Sequence, residues 1–288
     1  MIDKKYLITS GCSFTEGHKV GPNASWAKYL AENNNLELIN IAKGGVGNEV
    51  ITQNVISYAT LNPEIAKDSL FVIQLSECLR FLICWDSFDE KSNGSIYWHL
   101  TPLQFLDRRG SRKITAEGFE GWDLEFPLNK WIYNNRYNIA QLYTNVTFSL
   151  IKTYHNIINF TNFCKANDYK FLIFDGINNH IPILNENNGQ WFLKDSHGNP
   201  RYELAVSDEI SDDIDFFHNT HHPFIHKKII NTIKENPNYY KGYTLNEFIN
   251  SNNEYHKGND NHPNELGSKL WAEQHLQPII EELFGKFK

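Results

Sequence analysis

The segment Lys5-Tyr6-Leu7-Ile8-Thr9-Ser10-Gly11-Cys12-Ser13-Phe14-Thr15 decides how the rest of the chain is read. Lys5 to Ser10 is a short run rich in aromatic, aliphatic and β-branched residues that stops at Gly11, the pattern of a strand running into a turn. Trp26 to Asn33 (WAKYLAEN) then carries helical spacing. The opening of the chain therefore reads strand, loop, helix.

The same unit recurs outward from there. Leu36 to Ala42 (LELINIA) alternates and meets Gly44-Gly45-Val46-Gly47-Asn48, and Glu49 to Leu61 has helical spacing at Val50, Ile51, Asn54, Val55 and Tyr58. Ser69 to Leu75 (SLFVIQL) and Tyr169 to Phe174 (YKFLIF) are nearly continuous apolar runs, as expected for strands covered on both faces of a parallel sheet. Residues 138 to 167 predict a long helix, and Asn264 to Phe284 a final one with Leu266, Leu270, Trp271, His275, Ile279 and Leu283 on its apolar stripe. Strands alternating with helices predict an α/β fold, a flavodoxin-like three-layer sandwich around a central parallel sheet. Residues 86–137 and 177–258 do not fit the alternation and are expected to be two long insertions in one domain spanning residues 1–288.

Composition narrows the partners. Apolar residues make up 41% and charged residues 21%, enough to build a core and to exclude global disorder. Lys and Arg number 27 against 34 Asp and Glu, a net charge of −7 without a basic run, which disfavours nucleic acid and anionic membranes as partners. No stretch approaches the roughly 20 apolar residues that span a bilayer, and the first ten residues show no secretory signal, so a soluble, cytoplasmic protein is expected. Cys12, Cys78, Cys84 and Cys164 are scattered without a C-x-x-C pair and read as free thiols in a reducing compartment. The aromatic insertions are compatible with self-association into a homo-oligomer.

In open parallel sheets ligands bind beyond the carboxyl ends of the strands, so residues that follow strands carry the functional signal. Gly11-Cys12-Ser13-Phe14-Thr15 would turn the chain sharply and present the Ser13 hydroxyl; the alternative is a tight turn in which Ser13 or Thr15 caps the next element. Near the other end lies Asn259-Asp260-Asn261-His262-Pro263-Asn264. A neutral imidazole can accept a serine proton, and a carboxylate on its other nitrogen fixes tautomer and orientation. The alternative for this segment is a helix start with Pro263 and Asn264 in the first turn and Asp260 as a dipole partner. Glu77 and Arg80 follow the third strand and could bind a substrate charge or pair with each other. Cys12 is expected to point away from Ser13. His218, His221, His222 and His226 could in principle bind a metal, but Pro223 interrupts the run and no ligand motif accompanies it, so no metal site is expected.

Taken together, the Gly-x-Ser-Phe-Thr strand end, the Gly44-Gly45 block and the Asp-x-His-Pro-Asn-x-x-Gly segment resemble the SGNH or GDSL hydrolase superfamily. The resemblance covers the chain as motif order, with the insertions unmatched. It implies that Ser13 is a nucleophile, His262 its general base, Asp260 the orienter of His262, and the N–H groups of Ser13 and Gly45 oxyanion donors. Two departures stand out. The family's Asp position, three before the His, is Asn259 here, so either Asp260 reaches the ring from an altered loop or another group orients it. The third block reads Gln74-Leu75-Ser76-Glu77-Cys78-Leu79-Arg80 and holds no Asn; Asn48 is the replacement donor expected, its alternative being a helix N-cap before Glu49.

The resemblance implies a serine carboxylesterase acting on small-molecule or glycan esters, short-chain or acetyl, through an acyl-enzyme on Ser13, with no metal or organic cofactor. The same residues would serve an O-acyltransferase that uses a sugar hydroxyl in place of water. A non-catalytic carbohydrate-binding or structural module that retains the fold is the reading from a different class.

Overall fold

Apolar side chains that alternate between the two faces of each buried strand set the layers. The computed structural model describes residues 5–85, 96–100, 130–135, 146–194, 200–207, 225–257 and 260–287, with the backbone alone at 81–85, 96–100, 200–202, 257 and 260–261. Strands β1 (Tyr6–Ser10), β2 (Glu37–Asn40), β3 (Ser69–Leu75), β4 (Lys170–Asp175) and β5 (Tyr239–Tyr240) form one sheet in the order β2-β1-β3-β4-β5. Every pair in it is parallel, and the order is that of a flavodoxin-like doubly wound fold.

Ile8, Phe71, Ile73, Phe171 and Ile173 pack on one face with α3 (Asn48–Leu61), α5 (Val146–Ala166) and α6 (Lys227–Glu235). Leu7, Leu70, Val72, Leu172 and Phe174 pack on the other with α2 (Trp26–Asn33), α7 (Leu245–Asn250), α8 (Glu265–Trp271) and α9 (Gln277–Phe284). Two short helices, α1 (Ser13–Glu16) and α4 (Pro63–Lys67), complete the set used here. Burying each Leu, Ile or Phe side chain stabilises by about 1.5–3 kcal/mol, which is why both faces of so apolar a sheet carry helices. Among the described residues no helix is long and apolar enough to cross a membrane.

Two expectations are corrected. The segment 177–258 is an insertion only in its first part, where Ile183–Asn185, Gln190–Lys194 and Pro200–Leu204 form an antiparallel sheet. From Lys227 onward it supplies α6, β5 and α7, all parts of the main sandwich; β5 has two paired residues, too few for alternation to show. The long helix is described over Val146–Ala166, and residues 138–145 of its expected span lie outside the described residues. The last helical stretch buries Gly267, Ser268, Trp271, Ala272, Leu276 and Ile280, while Leu266 is 42% exposed. A π-turn over Ala272–Leu276 shifts the phase, and the small residues at 267, 268 and 272 let the helix pack closely; a methyl on Gly267 would sit 2.3 Å from the Tyr255 carbonyl oxygen. In the first expected insertion, Phe81–Trp85 pairs antiparallel with Ile96–Leu100, and most of 86–137 lies outside the described residues.

Candidate active site

Register brings the ends of β1 and β3 together, Ser10 opposite Ile73, at the place where the strand order reverses and such sheets open a crevice. Gly11 turns the chain there: a methyl on it would lie 2.1 Å from Thr15 Oγ1, so a side chain would block the fold-back of the turn. Thr15 donates its hydroxyl to Gln74 Oε1 at 2.5 Å, and Gln74 Nε2 lies 3.2 Å from Cys12 Sγ and donates to the Leu75 carbonyl at 3.2 Å. Gln74 is fully buried, and its amide ties β3 to the turn that carries Ser13. Cys12 is the N-cap of α1 and its buried thiol faces Gln74, as expected for a side chain pointing away from Ser13. Ser13 is the first helical residue, so neither it nor Thr15 caps α1 by its side chain.

His262 arrives from the opposite end of the chain. The strand Asp260–Pro263 pairs antiparallel with His256–Lys257, and Asn264 caps α8 by accepting from Gly267 N–H at 2.8 Å while donating to the Glu254 carbonyl at 2.6 Å. Thus the sequence segment is a helix start and also a carrier of the imidazole. The His262 Nε2 atom lies 2.9 Å from Ser13 Oγ. Phe14 meets the ring edge-on at 5.1 Å between centroids and His18 lies tilted against it at 4.8 Å, contacts that limit its rotation. With the ring neutral and its proton on Nδ1, the Ser13 hydroxyl donates to Nε2. The Asp260 side chain and Asn259 lie outside the described residues.

The loop after β2 borders the same hydroxyl. Asn40 donates from Nδ2 to the Thr15 carbonyl at 2.8 Å, and Glu16 Oε2 accepts from Gly44 N–H at 2.9 Å, so two side chains fasten this loop to α1. A methyl on Gly44 would stand 3.7 Å from Ser13 Cβ. Gly45 has φ of 81° with open space where a side chain would be, a left-handed conformation that favours glycine. Among the described residues no group accepts a hydrogen bond from the N–H of Gly45 or of Ser13. The Ser13 N–H belongs to the first turn of a helix, which leaves it without an intrahelical partner.

Asn48 does not fill the role expected of it. Its side chain is buried; Oδ1 accepts from Ser76 N–H at 2.6 Å, and Nδ2 faces the Ser76 carbonyl at 3.3 Å, Thr153 Oγ1 at 3.2 Å and His180 Nε2 at 3.4 Å. An amide so occupied has no donor left for an oxyanion, and the N-cap of α3 is Gly47. Arg80 and Glu77 pair with each other at 3.4 Å, both mostly buried, while Arg80 Nη1 is buried without a partner among the described residues. Of the histidine cluster, His226 accepts from Lys228 N–H at the start of α6, and His218, His221 and His222 lie outside the described residues. No group of three metal-ligating side chains occurs among the described residues. Cys12, Cys78 and Cys164 are free thiols, and burial pushes Cys78 up to about 12.

Gln74, Glu16 and Asn40 were not singled out by sequence reasoning as parts of the site. The one available signal was Gln74 itself, a lone amide in the otherwise apolar run Ser69–Leu75.

No protein-family model and no curated protein matches this chain. Among solved structures, it is similar to a psychrotrophic esterase, EstA from Pseudoalteromonas sp., with 10% identity, a TM-score of 0.44 and coverage of 97% of this chain and 98% of that one. A member of the lipolytic G-D-S-L family from Veillonella parvula is similar at 12% identity and TM-score 0.42, with 97% and 98% coverage. TesA is similar at 12% identity and TM-score 0.46, with 97% and 100% coverage.

Proposed function

We propose that the protein is a serine esterase that hydrolyses short-chain or acetyl esters through an acyl-enzyme on Ser13. The observation that carries this reading is the 2.9 Å contact between Ser13 Oγ and His262 Nε2 beyond the carboxyl end of β1. His262 takes the Ser13 proton as Oγ attacks the ester carbonyl carbon. The negative charge that develops on the carbonyl oxygen is met by the N–H groups of Ser13 and Gly45, two donors that the fold leaves open. Collapse of the tetrahedral intermediate breaks the ester C–O bond, and His262 returns the proton to the departing alcohol. Water, deprotonated by the same ring, then attacks the acyl carbon and restores Ser13. Asp260 is the proposed partner of the second ring nitrogen.

The test is hydrolysis of a p-nitrophenyl ester series from acetate to long chains by wild type and Ser13→Ala, with organophosphonate labelling in parallel. Turnover and labelling that vanish in Ser13→Ala support the serine esterase, and chain-length preference reports the acyl pocket. Absence of both in folded wild type overturns it.

A further inference from the structure

A buried carboxylate–imidazole pair sits at the carboxyl end of β4, apart from Ser13 and His262. Asp175 is 4% exposed and His180 is fully buried. Asp175 Oδ1 lies 2.5 Å from His180 Nδ1, and Oδ2 accepts from the His180 N–H at 3.0 Å and from the Tyr239 hydroxyl at 2.7 Å. Tyr154 donates to the His180 carbonyl at 2.7 Å. The chain thus meets from β4, β5 and α5 on two side chains that the proposed reaction does not use.

Hydrogen-bond direction shows what the imidazole does. Ser76 N–H can only donate, so the atom of Asn48 that meets it at 2.6 Å is the amide oxygen. The Asn48 NH₂ group therefore faces His180 Nε2, which must accept, and the ring proton belongs on Nδ1, donated to Asp175. His180 is a bridge from a fixed carboxylate to Asn48. Asn48 in turn holds both backbone polar groups of Ser76 and stands first in α3, directly after the Gly44–Gly47 loop. That loop borders Ser13 and carries the Gly45 N–H.

We propose that His180 is a positioning residue: through Asn48 it sets the Gly44–Gly47 loop against Ser13, and so places the Gly45 N–H where charge develops on the substrate. This rests on the esterase reading above. Buried hydrogen-bonded networks of this kind fix one geometry because every alternative leaves a polar atom unsatisfied.

Two substitutions separate this role from plain stabilisation. In His180→Gln the amide reaches the place of Nε2 and can still accept from Asn48, at the expense of the Asp175 bond. In His180→Asn the amide reaches the place of Nδ1, keeping Asp175 and abandoning Asn48. His180→Gln gives up the short bond to a buried carboxylate and His180→Asn the longer one to Asn48, so the larger loss of thermal stability is expected in His180→Gln, opposite to the order expected for turnover. On p-nitrophenyl acetate, His180→Asn is expected to lower kcat by roughly 10- to 100-fold at nearly constant KM, less than the loss of a whole oxyanion donor. His180→Gln is expected to stay within about threefold of wild type, since its bond to Asn48 survives. Hydrogen exchange of a peptide covering residues 44–48 gives a readout independent of turnover: it quickens in His180→Asn and not in His180→Gln. Equal kcat in both variants, or exchange of 44–48 that does not respond, overturns the positioning role even if wild type is an active esterase. A wild type without ester turnover or phosphonate labelling overturns the esterase reading, and with it this role, whatever the exchange of the loop shows.

Discussion

Ser13 Oγ and His262 Nε2 stand 2.9 Å apart although 249 residues separate them in the chain. Ser13 opens α1 directly after β1, and His262 precedes α8, which packs on the same face of the sheet as α2. The doubly wound order puts β1 and β3 at the reversal point, and a residue after the first strand and one before a late helix meet at that end of the sheet.

Removing either group is expected to lower kcat/KM for a p-nitrophenyl ester by about 10³-fold or more, with little change in thermal midpoint, since both side chains are only partly buried. On the proposed mechanism the two act as a unit, so the double variant Ser13→Ala/His262→Ala should be no slower than the worse single variant. Additive losses in steady-state kinetics would mean that the contact is not a working couple.

Asp260→Asn tests the orienting group. A loss on the order of 10² or more in kcat with KM unchanged is expected if the carboxylate holds the His262 tautomer. Kinetics matching wild type would instead assign the chemistry to a Ser–His dyad.

Gly176→Ala tests the Gln74 clamp beneath Ser13. A methyl there would lie 1.7 Å from Gln74 Nε2, an atom already held against Cys12 and Leu75. Overpacking of this kind costs about 1–3 kcal/mol. Chemical denaturation should show that loss, and kcat should fall as the turn from Gly11 to Thr15 shifts; unaltered stability would show that the amide has room to move.

His275 makes stability depend on pH. Its ring stacks on Trp271 at 4.6 Å, meets Phe248 edge-on at 4.9 Å and lies 3.2 Å from the Tyr240 hydroxyl, and burial lowers its pKa below the ordinary 6.5. The fold therefore prefers the neutral ring, and in the window below 6.5 the unfolded chain binds more protons than the native one. The His275 contribution is complete above that value and declines as pH drops through the window to the folded-state pKa. Urea midpoints measured from pH 8 to pH 5 should fall less steeply in His275→Phe than in wild type; parallel slopes would remove His275 as the cause.

Much of the architecture was legible because its signals are local. The helix over Trp26–Asn33 and the strand over Ser69–Leu75 have the bounds that composition and periodicity predict, and the apolar runs of β3 and β4 announce a sheet covered on both faces. The last helix was legible as a helix but not in its phase, since a π-turn over Ala272–Leu276 leaves no mark in apolar spacing. The strand Tyr239–Tyr240 was missed because two residues contain no period.

At the site the division follows the same physics. The alternating α/β plan was readable from the chain alone, and so were Ser13 and His262 as candidates, since each lies in a short turn or helix-start segment whose chemistry is readable within a few residues; Gly45 came into view through the family resemblance. It took the folded chain to show that Asn48 spends its amide on Ser76, Thr153 and His180, that Gln74 clamps Cys12 and Thr15, and that Asp175 and His180 form a buried pair. A side-chain amide or imidazole takes whichever buried partner folding brings within 3 Å or so, and partners that lie tens of residues away in the chain leave no local signature of the choice.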